Sequence, residues 1–373
     1  MIKLPNNFQP YTDVYFLRSL EILKKLNLNP FVRAQVFLRG NSGLIFGQDQ
    51  VIEIIKKYSN IFDNKGKVYL LPNGEHYEAN ETVLLIEARI QDIIGLETII
   101  LGVLSYETTK RNDKTSIDLN KVTQTFKTIC SLVRERPVYY FGARHWSFSE
   151  DAVITKSAFE GGAAGASTQI GADQKKQMAM GTIPHSLEAI FDWKYGSDRA
   201  VVESSLAFNK YINKKVPRIA LVDYNNKETD DSVMVSKILG NQLFGVRVDT
   251  PGENIQQGGV KHDDAKSKYW TGKGVTIEGV KSLRETLDKY GFDKTKIVLS
   301  SGFGNIDKVR AFVEAEKKLN IRLFDSLGVG NVFDARISTM DIVGVGETIQ
   351  TILPISKVGR FYKPNERLVL CSV

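Results

Sequence analysis

From Pro137 onward, short apolar runs alternate with helical segments: VYYFGARH, SAFEGGAAG, QMAMGTI, RIALVDY, FGVRVDT, KIVLSSG and RLFDSLGVG. Apolar runs of this kind are buried on both faces, and helices between them demand a parallel sheet with its faces covered. Seven units over roughly 200 residues predict an α/β barrel in preference to an open sheet. In such a barrel the functional groups gather where each strand runs out into its loop. Those ends read Gly142-Ala143-Arg144-His145, Gly161-Gly162, Gly181-Thr182, Asp223, Arg247-Val248-Asp249-Thr250, Ser300-Ser301-Gly302 and Gly328-Val329-Gly330.

At 373 residues the chain exceeds what one core usually serves, so a second unit is expected. VYFLRSLEILKKL has helical spacing after the capping pair Thr12-Asp13. AQVFLRG, GKVYLLP and TVLLIEARI read as strands, and DQVIEIIKKYS as a helix. Two further helical stretches, IIGLETIILGVLSYETTK and LNKVTQTFKTICSLVRE, run up to Pro137. The tail, with TILPISKVGRFYKPN, returns to short strands and is expected to pack on the first unit. The division is therefore an N-terminal α/β sandwich over 1–115, joined by 340–373, and a barrel over 116–339.

Apolar runs of 18 residues are missing, as is a signal-peptide pattern at MIKLPNNFQPYTD, so no membrane association and a cytoplasmic location are expected. Two cysteines, Cys130 and Cys371, suggest neither a disulfide framework nor a zinc site. The net charge of +7 comes from scattered lysines instead of one basic block, which argues against nucleic acid and for an anionic small substrate at most.

SSGFGN and SLGVGN place glycines and a hydroxyl residue after the last two strands, where backbone N–H groups can approach a phosphate. Glycines also serve simply to leave a strand, but two such loops side by side favour a phosphate site. Arg144 and Arg247 can grip a carboxylate or phosphate through two parallel hydrogen bonds, or can pair with Asp223 or Asp249 inside the barrel mouth. Asp223 and Asp249 could instead hold Mg²⁺ or ribose hydroxyls beside a pyrophosphate. His185, in GTIPHSL, is a candidate nucleophile or acid–base; a structural role at a helix start is the alternative. No Walker-type string is present.

In order along the chain, YTDVY (11–15), FGARH (141–145), AFEGGAAGAST (158–168), GTIPHSL (181–187), RVDTPGE, SSGFGN and GVGN resemble the nicotinate phosphoribosyltransferase family, in its shorter archaeal and bacterial type. The resemblance spans nearly the whole chain. It implies an irregular type II phosphoribosyltransferase barrel with an N-terminal open-faced α+β sandwich, and a homodimer with shared active sites. Tyr15 would stack on the pyridine in the partner's site, with Asp13 positioning that segment. His185 matches the histidine phosphorylated by ATP, flanked by Thr182 and Ser186. Arg144 matches an anion-binding arginine; Arg247 and Asp249 match the motif beside pyrophosphate and ribose. Ser301, Gly302, Gly328 and Gly330 match the loops around the 5′-phosphate.

The resemblance thus implies a glycosyltransferase with ligase chemistry: nicotinate and phosphoribosyl pyrophosphate give nicotinate mononucleotide and pyrophosphate in NAD biosynthesis. ATP hydrolysis is coupled through a phosphohistidine, with Mg²⁺ as cofactor and no structural zinc. Relatives commonly carry a second basic residue after the one matching Arg144, where this chain has His145. That opens a weaker or pH-dependent grip on the carboxylate, and with it nicotinamide as the alternative substrate. Quinolinate is less favoured, because Arg144 and His145 offer a diacid few cations. A non-catalytic sensor of phosphoribosyl compounds would need no GTIPHSL.

Overall fold

A computed structural model of the chain describes residues 2–266 and 268–371. Thirteen strands occur among the described residues. The first five are β1 (Phe31–Leu38), β2 (Gly43–Leu44), β3 (Lys67–Leu70), β4 (His76–Tyr77) and β5 (Thr82–Arg89). Six more follow Pro137: β6 (Val138–Tyr140), β7 (Gly165–Ala166), β8 (Ile219–Leu221), β9 (Gly245–Val248), β10 (Lys296–Leu299) and β11 (Ser326–Val329). The tail adds β12 (Ser338–Gly346) and β13 (Val369–Leu370).

Strands β6 to β11 form one six-stranded parallel sheet in the order β7-β6-β11-β10-β9-β8. This is the expected α/β architecture, curved into part of a barrel. Two runs differ from expectation. Ser157–Glu160 end the helix Asp151–Glu160, leaving only Gly165–Ala166 as strand, because that stretch carries small helix-tolerant residues and few β-branched ones. QMAMGTI is not a strand: it crosses the gap between the edges β7 and β8, with Met180 N–H on Ala166 O and Thr182 Oγ1 on Ile219 O. The ring of pairing is therefore closed by irregular chain.

The other main sheet is antiparallel, in the order β12-β1-β5-β3-β13. Central β1 is flanked by β12 from Phe31↔Gly346 to Leu38↔Ser338, with a bulge at Arg33/Ala34, and by β5. Both β1 and β5 are buried almost throughout, so they hold the tail in place by burial as well as by ladder bonds. Gln35 adds polar ties: its amide N–H donates to Phe361 O at 2.8 Å, and its Oε1 accepts from Lys363 N–H at 3.0 Å. Buried polar groups need partners, and here the partner is the tail itself.

The helix Glu97–Asp113 is buried on every side from Glu97 to Ser105 and lies between the two sheets. Gly102 lets it approach the turn at 143–146 closely, since a side chain there would run into the Trp146 carbonyl. That approach brings Glu97, at the helix start, to Arg144 just beyond β6.

Candidate active site

The loops beyond the barrel strands enclose a cavity of about 360 Å³ with the N-terminal helix Val14–Lys25, the helix Glu97–Asp113, β12 and the tail. Tyr15, Arg144, His145, His185, Ser186, Arg247, Asp249, Ser301, Gly302, Gly328 and Gly330 all line it. Residues separated by more than 300 positions thus meet in one place, on the C-terminal side of the strands.

His185 opens the helix His185–Tyr195. Its Nε2 lies 3.2 Å from each oxygen of Asp223, which follows β8 and is completely buried. Lys357 of the tail reaches the same place: its ammonium is 3.0 Å from His185 Nε2, donates to Asp223 Oδ2, and lies 3.4 Å from the Asp249 carbonyl. No hydrogen bond to Nδ1 is seen among the described residues, so that nitrogen is the ring's open position. Burial, and then the Lys357 charge, push the His185 pKa below its ordinary 6.5, keeping the imidazole neutral at pH 7. Burial alone would raise Asp223; Lys357 and His185 instead hold its carboxyl well below the usual range.

Asp223 is thus occupied by a lysine and a histidine, not by Arg144 or Arg247. Asp249 differs: it is half-buried at the cavity wall. A half-buried carboxylate at a cavity wall is the kind of ligand a hard cation takes beside substrate oxygens and water.

Arg144 lies 3.4 Å from Glu97 Oε1. Burial raises the Glu97 pKa to about 8, and Arg144 opposes that rise without cancelling it. Near neutral pH much of Glu97 is protonated, so Arg144 keeps charge to offer an anion. His145 is not a second cation. Burial, Arg144 and Arg39 push its pKa down to about 3, and its Nδ1 accepts the Asn331 N–H at 3.0 Å. Its bond braces the GVGN loop, so the expected pH-dependent grip by His145 gives way to a neutral structural role.

Tyr15 lines the cavity of its own chain, whereas the resemblance places it in a neighbour's. Val14 N–H donates to Ser167 O at 2.8 Å and Asp13 bridges to Thr168, which pins this segment beside β7. Asp13 does not reach the cavity; its Oδ2 accepts from Thr98 Oγ1 at 2.9 Å, and it fixes the helix start from behind. Thr182 also lies outside, bonded to Ile219 O, and faces a second, more apolar cavity of about 350 Å³ within the barrel. Arg247 stands between the two cavities, with one N–H on Ile183 O at 3.0 Å.

The glycine loops are neighbours because β10 pairs with β11. Ser301 and Gly302 both line the cavity and have φ of 66° and 85°, a left-handed pair. The helix Ile306–Leu319 begins directly after, its N-terminus adding favourable dipole for an anion. Lys308 donates to Ser301 O at 2.9 Å, and burial lowers its pKa to about 8.

Sequence reading overlooked Lys357, Arg360, Arg39 and Glu97. Arg360 and Arg39 line the mouth and share Glu253, at 2.9 and 3.4 Å. The basic spacing in KVGRFYK was the one available signal, and nothing local tied it to the barrel.

Residues 13–108 match the family model for the quinolinate phosphoribosyl transferase N-terminal domain. No curated protein sequence matches the chain. Among solved structures, a nicotinate phosphoribosyltransferase from Porphyromonas gingivalis is 16% identical with a TM-score of 0.63, covering 93% of this chain and 92% of its own. A putative nicotinate phosphoribosyltransferase from Saccharomyces cerevisiae is 14% identical with a TM-score of 0.65, covering 99% and 91%. A nicotinate-nucleotide pyrophosphorylase from Pyrococcus furiosus is 27% identical over 99% and 85%, with a TM-score of 0.45. The first two share with this chain the architecture of a parallel part-barrel and an antiparallel N-terminal sheet, so the chain has the type II phosphoribosyltransferase fold.

Proposed function

We propose that this protein is a nicotinate phosphoribosyltransferase that joins nicotinate to phosphoribosyl pyrophosphate, driven by ATP through phosphorylation of His185, in NAD biosynthesis. The observation that carries the reading is the convergence of His185, backed by Asp223 and Lys357, with Arg144 and two glycine loops around one cavity.

The residues divide the work. Tyr15 offers an aromatic wall for the pyridine ring, and Arg144 a guanidinium for its carboxylate. Backbone N–H groups at Ser301–Gly302 and the helix N-terminus behind them hold the 5′-phosphate. Arg247, Arg360 and Lys357 face the leaving pyrophosphate and offset the charge it gathers as the glycosidic bond forms. Mg²⁺, when bound, would be held by Asp249 with substrate oxygens and would neutralise that same charge. Asp223 turns Nε2 of His185 inward and leaves Nδ1 to attack a terminal phosphate. Pairing of two copies around these sites belongs to the same reading, although Tyr15 already serves its own chain. No helix among the described residues is long and apolar enough to cross a membrane.

Quinolinate is a second reading, favoured by the N-terminal domain match and by Arg39 and Arg360 at the mouth, which supply cations for a second carboxylate. The test is product formation from phosphoribosyl pyrophosphate with nicotinate, nicotinamide or quinolinate, each with and without Mg·ATP. ATP-stimulated turnover of nicotinate alone is expected. Carbon dioxide release from quinolinate, indifferent to ATP, would replace this reading with the second; turnover of none would leave a non-catalytic sensor.

A further inference from the structure

Glu188 follows His185 by three residues on the helix His185–Tyr195, so the two side chains share a helix face. The chemistry above does not use it. Its side chain is completely buried, and neither carboxyl oxygen has a hydrogen-bond partner among the described residues. A carboxylate there would give up its hydration and receive no donor in return, whereas a protonated acid avoids most of that loss.

The titratable and charged groups around it are Asp223 after β8, Lys357 of the tail, Asp231 on the helix Glu228–Leu239, Arg247 of β9, Tyr224, and His185 on its own helix. Burial, then Asp223, push its pKa well above the carboxylate range against the pull of Lys357. Glu188 therefore holds an O–H with nothing to give it to, within electrostatic reach of an aspartate that depends on a lysine.

That dependence is the key relation. Lys357 sits on Asp223 and also lines the cavity where phosphates would bind. A lysine stem can turn to a polyanion, but Asp223 would then remain in a dry site with its cation gone. We propose that Glu188 is the reserve hydrogen-bond donor for Asp223: its O–H takes the carboxylate oxygen that Lys357 leaves when the lysine engages a substrate phosphate. The proton stays on Glu188, Lys357 keeps its charge, and Asp223 goes on orienting His185. Glu188 is thus a positioning residue acting through Asp223. The inference rests on the phosphoryl-transfer reading of the cavity.

Infrared difference spectroscopy of the whole protein tests it without turnover. At neutral pH the wild type should show a carboxylic-acid C=O band that Glu188→Gln removes. Inorganic pyrophosphate, or the substitution Lys357→Met, should move that band to lower frequency as the O–H finds Asp223. A spectrum unchanged by Glu188→Gln overturns the proposal, as does a band that neither perturbation moves. Failure of the phosphoribosyltransferase reading would appear separately, as a wild type that forms no product while the band behaves as stated.

Discussion

Lys357 and His185, 172 positions apart in the chain, place Nζ and Nε2 3.0 Å from each other over the carboxylate of Asp223. The tail thereby completes a site whose histidine lies in the barrel. Lys357→Met should leave Asp223 buried without its cation, destabilising the fold by about 3–5 kcal/mol unless the region relaxes. Labelling of His185 by the γ-phosphate of ATP should fall about 100-fold, the scale seen when one preorganised charge is removed. Thermal melts and labelling of the same samples check both; a variant that labels as wild type would remove Lys357 from the site's chemistry.

The pH dependence of that labelling follows from the same contact. His185 has its pKa lowered by burial first and by Lys357 second, so the neutral imidazole persists below pH 6.5 and is lost only as pH falls through the depressed folded value. Wild-type labelling should therefore hold steady from pH 8 to 6.5. In Lys357→Met the second cause is gone, and the acid limb should move to higher pH. A limb that stays in place would show that Lys357 does not act on the imidazole.

Glu97 predicts a dependence at the alkaline side. Its folded pKa is raised to about 8 from an ordinary 4.5, so the folded state holds a proton that the unfolded chain has already released between those values. Stability from this group is complete below 4.5 and is lost as pH rises through 8. Once ionised, Glu97 also competes with a substrate carboxylate for Arg144. The KM for nicotinate should rise above pH 8, about tenfold per unit at the steepest, while that for nicotinamide stays flat. Glu97→Gln should flatten both the stability curve and the nicotinate KM. Equal profiles for the two pyridines in wild type would contradict the assignment.

How much of this was legible in the sequence depends on range. The strand ends at Arg144, Arg247, Asp249 and Ser301 were readable because a parallel strand and its loop announce themselves locally through apolar runs and glycine. The strand assigned to SAFEGGAAG failed because five small residues in a row, 161–165, satisfy helix and turn as well as strand. Lys357 was hidden for a different reason. Its place is set by Gln35 gripping the backbone at Phe361 and Lys363, and a tie across more than 300 residues leaves no periodic trace. The protonation of Glu97 and the neutrality of His145 were likewise invisible, since each follows from enclosure by groups distant in sequence.

Gly181 offers a test of the ring wall. Its φ is +142°, and a Cβ built on it would lie 2.6 Å from Tyr15 Cδ1. Alanine there meets two obstacles: a backbone angle that side chains rarely adopt, and an aromatic ring that is 5% exposed with nowhere to retreat except into the cavity. Strain and overpacking together should cost about 1–3 kcal/mol. If Tyr15 is the surface on which the pyridine rests, Gly181→Ala should also raise KM for the pyridine about tenfold at a temperature where the variant is folded, with KM for phosphoribosyl pyrophosphate unchanged. Cutting the ring back with Tyr15→Leu in the Gly181→Ala background should recover stability without recovering KM. Recovery of both would mean that the clash, and not the aromatic wall, limits the reaction.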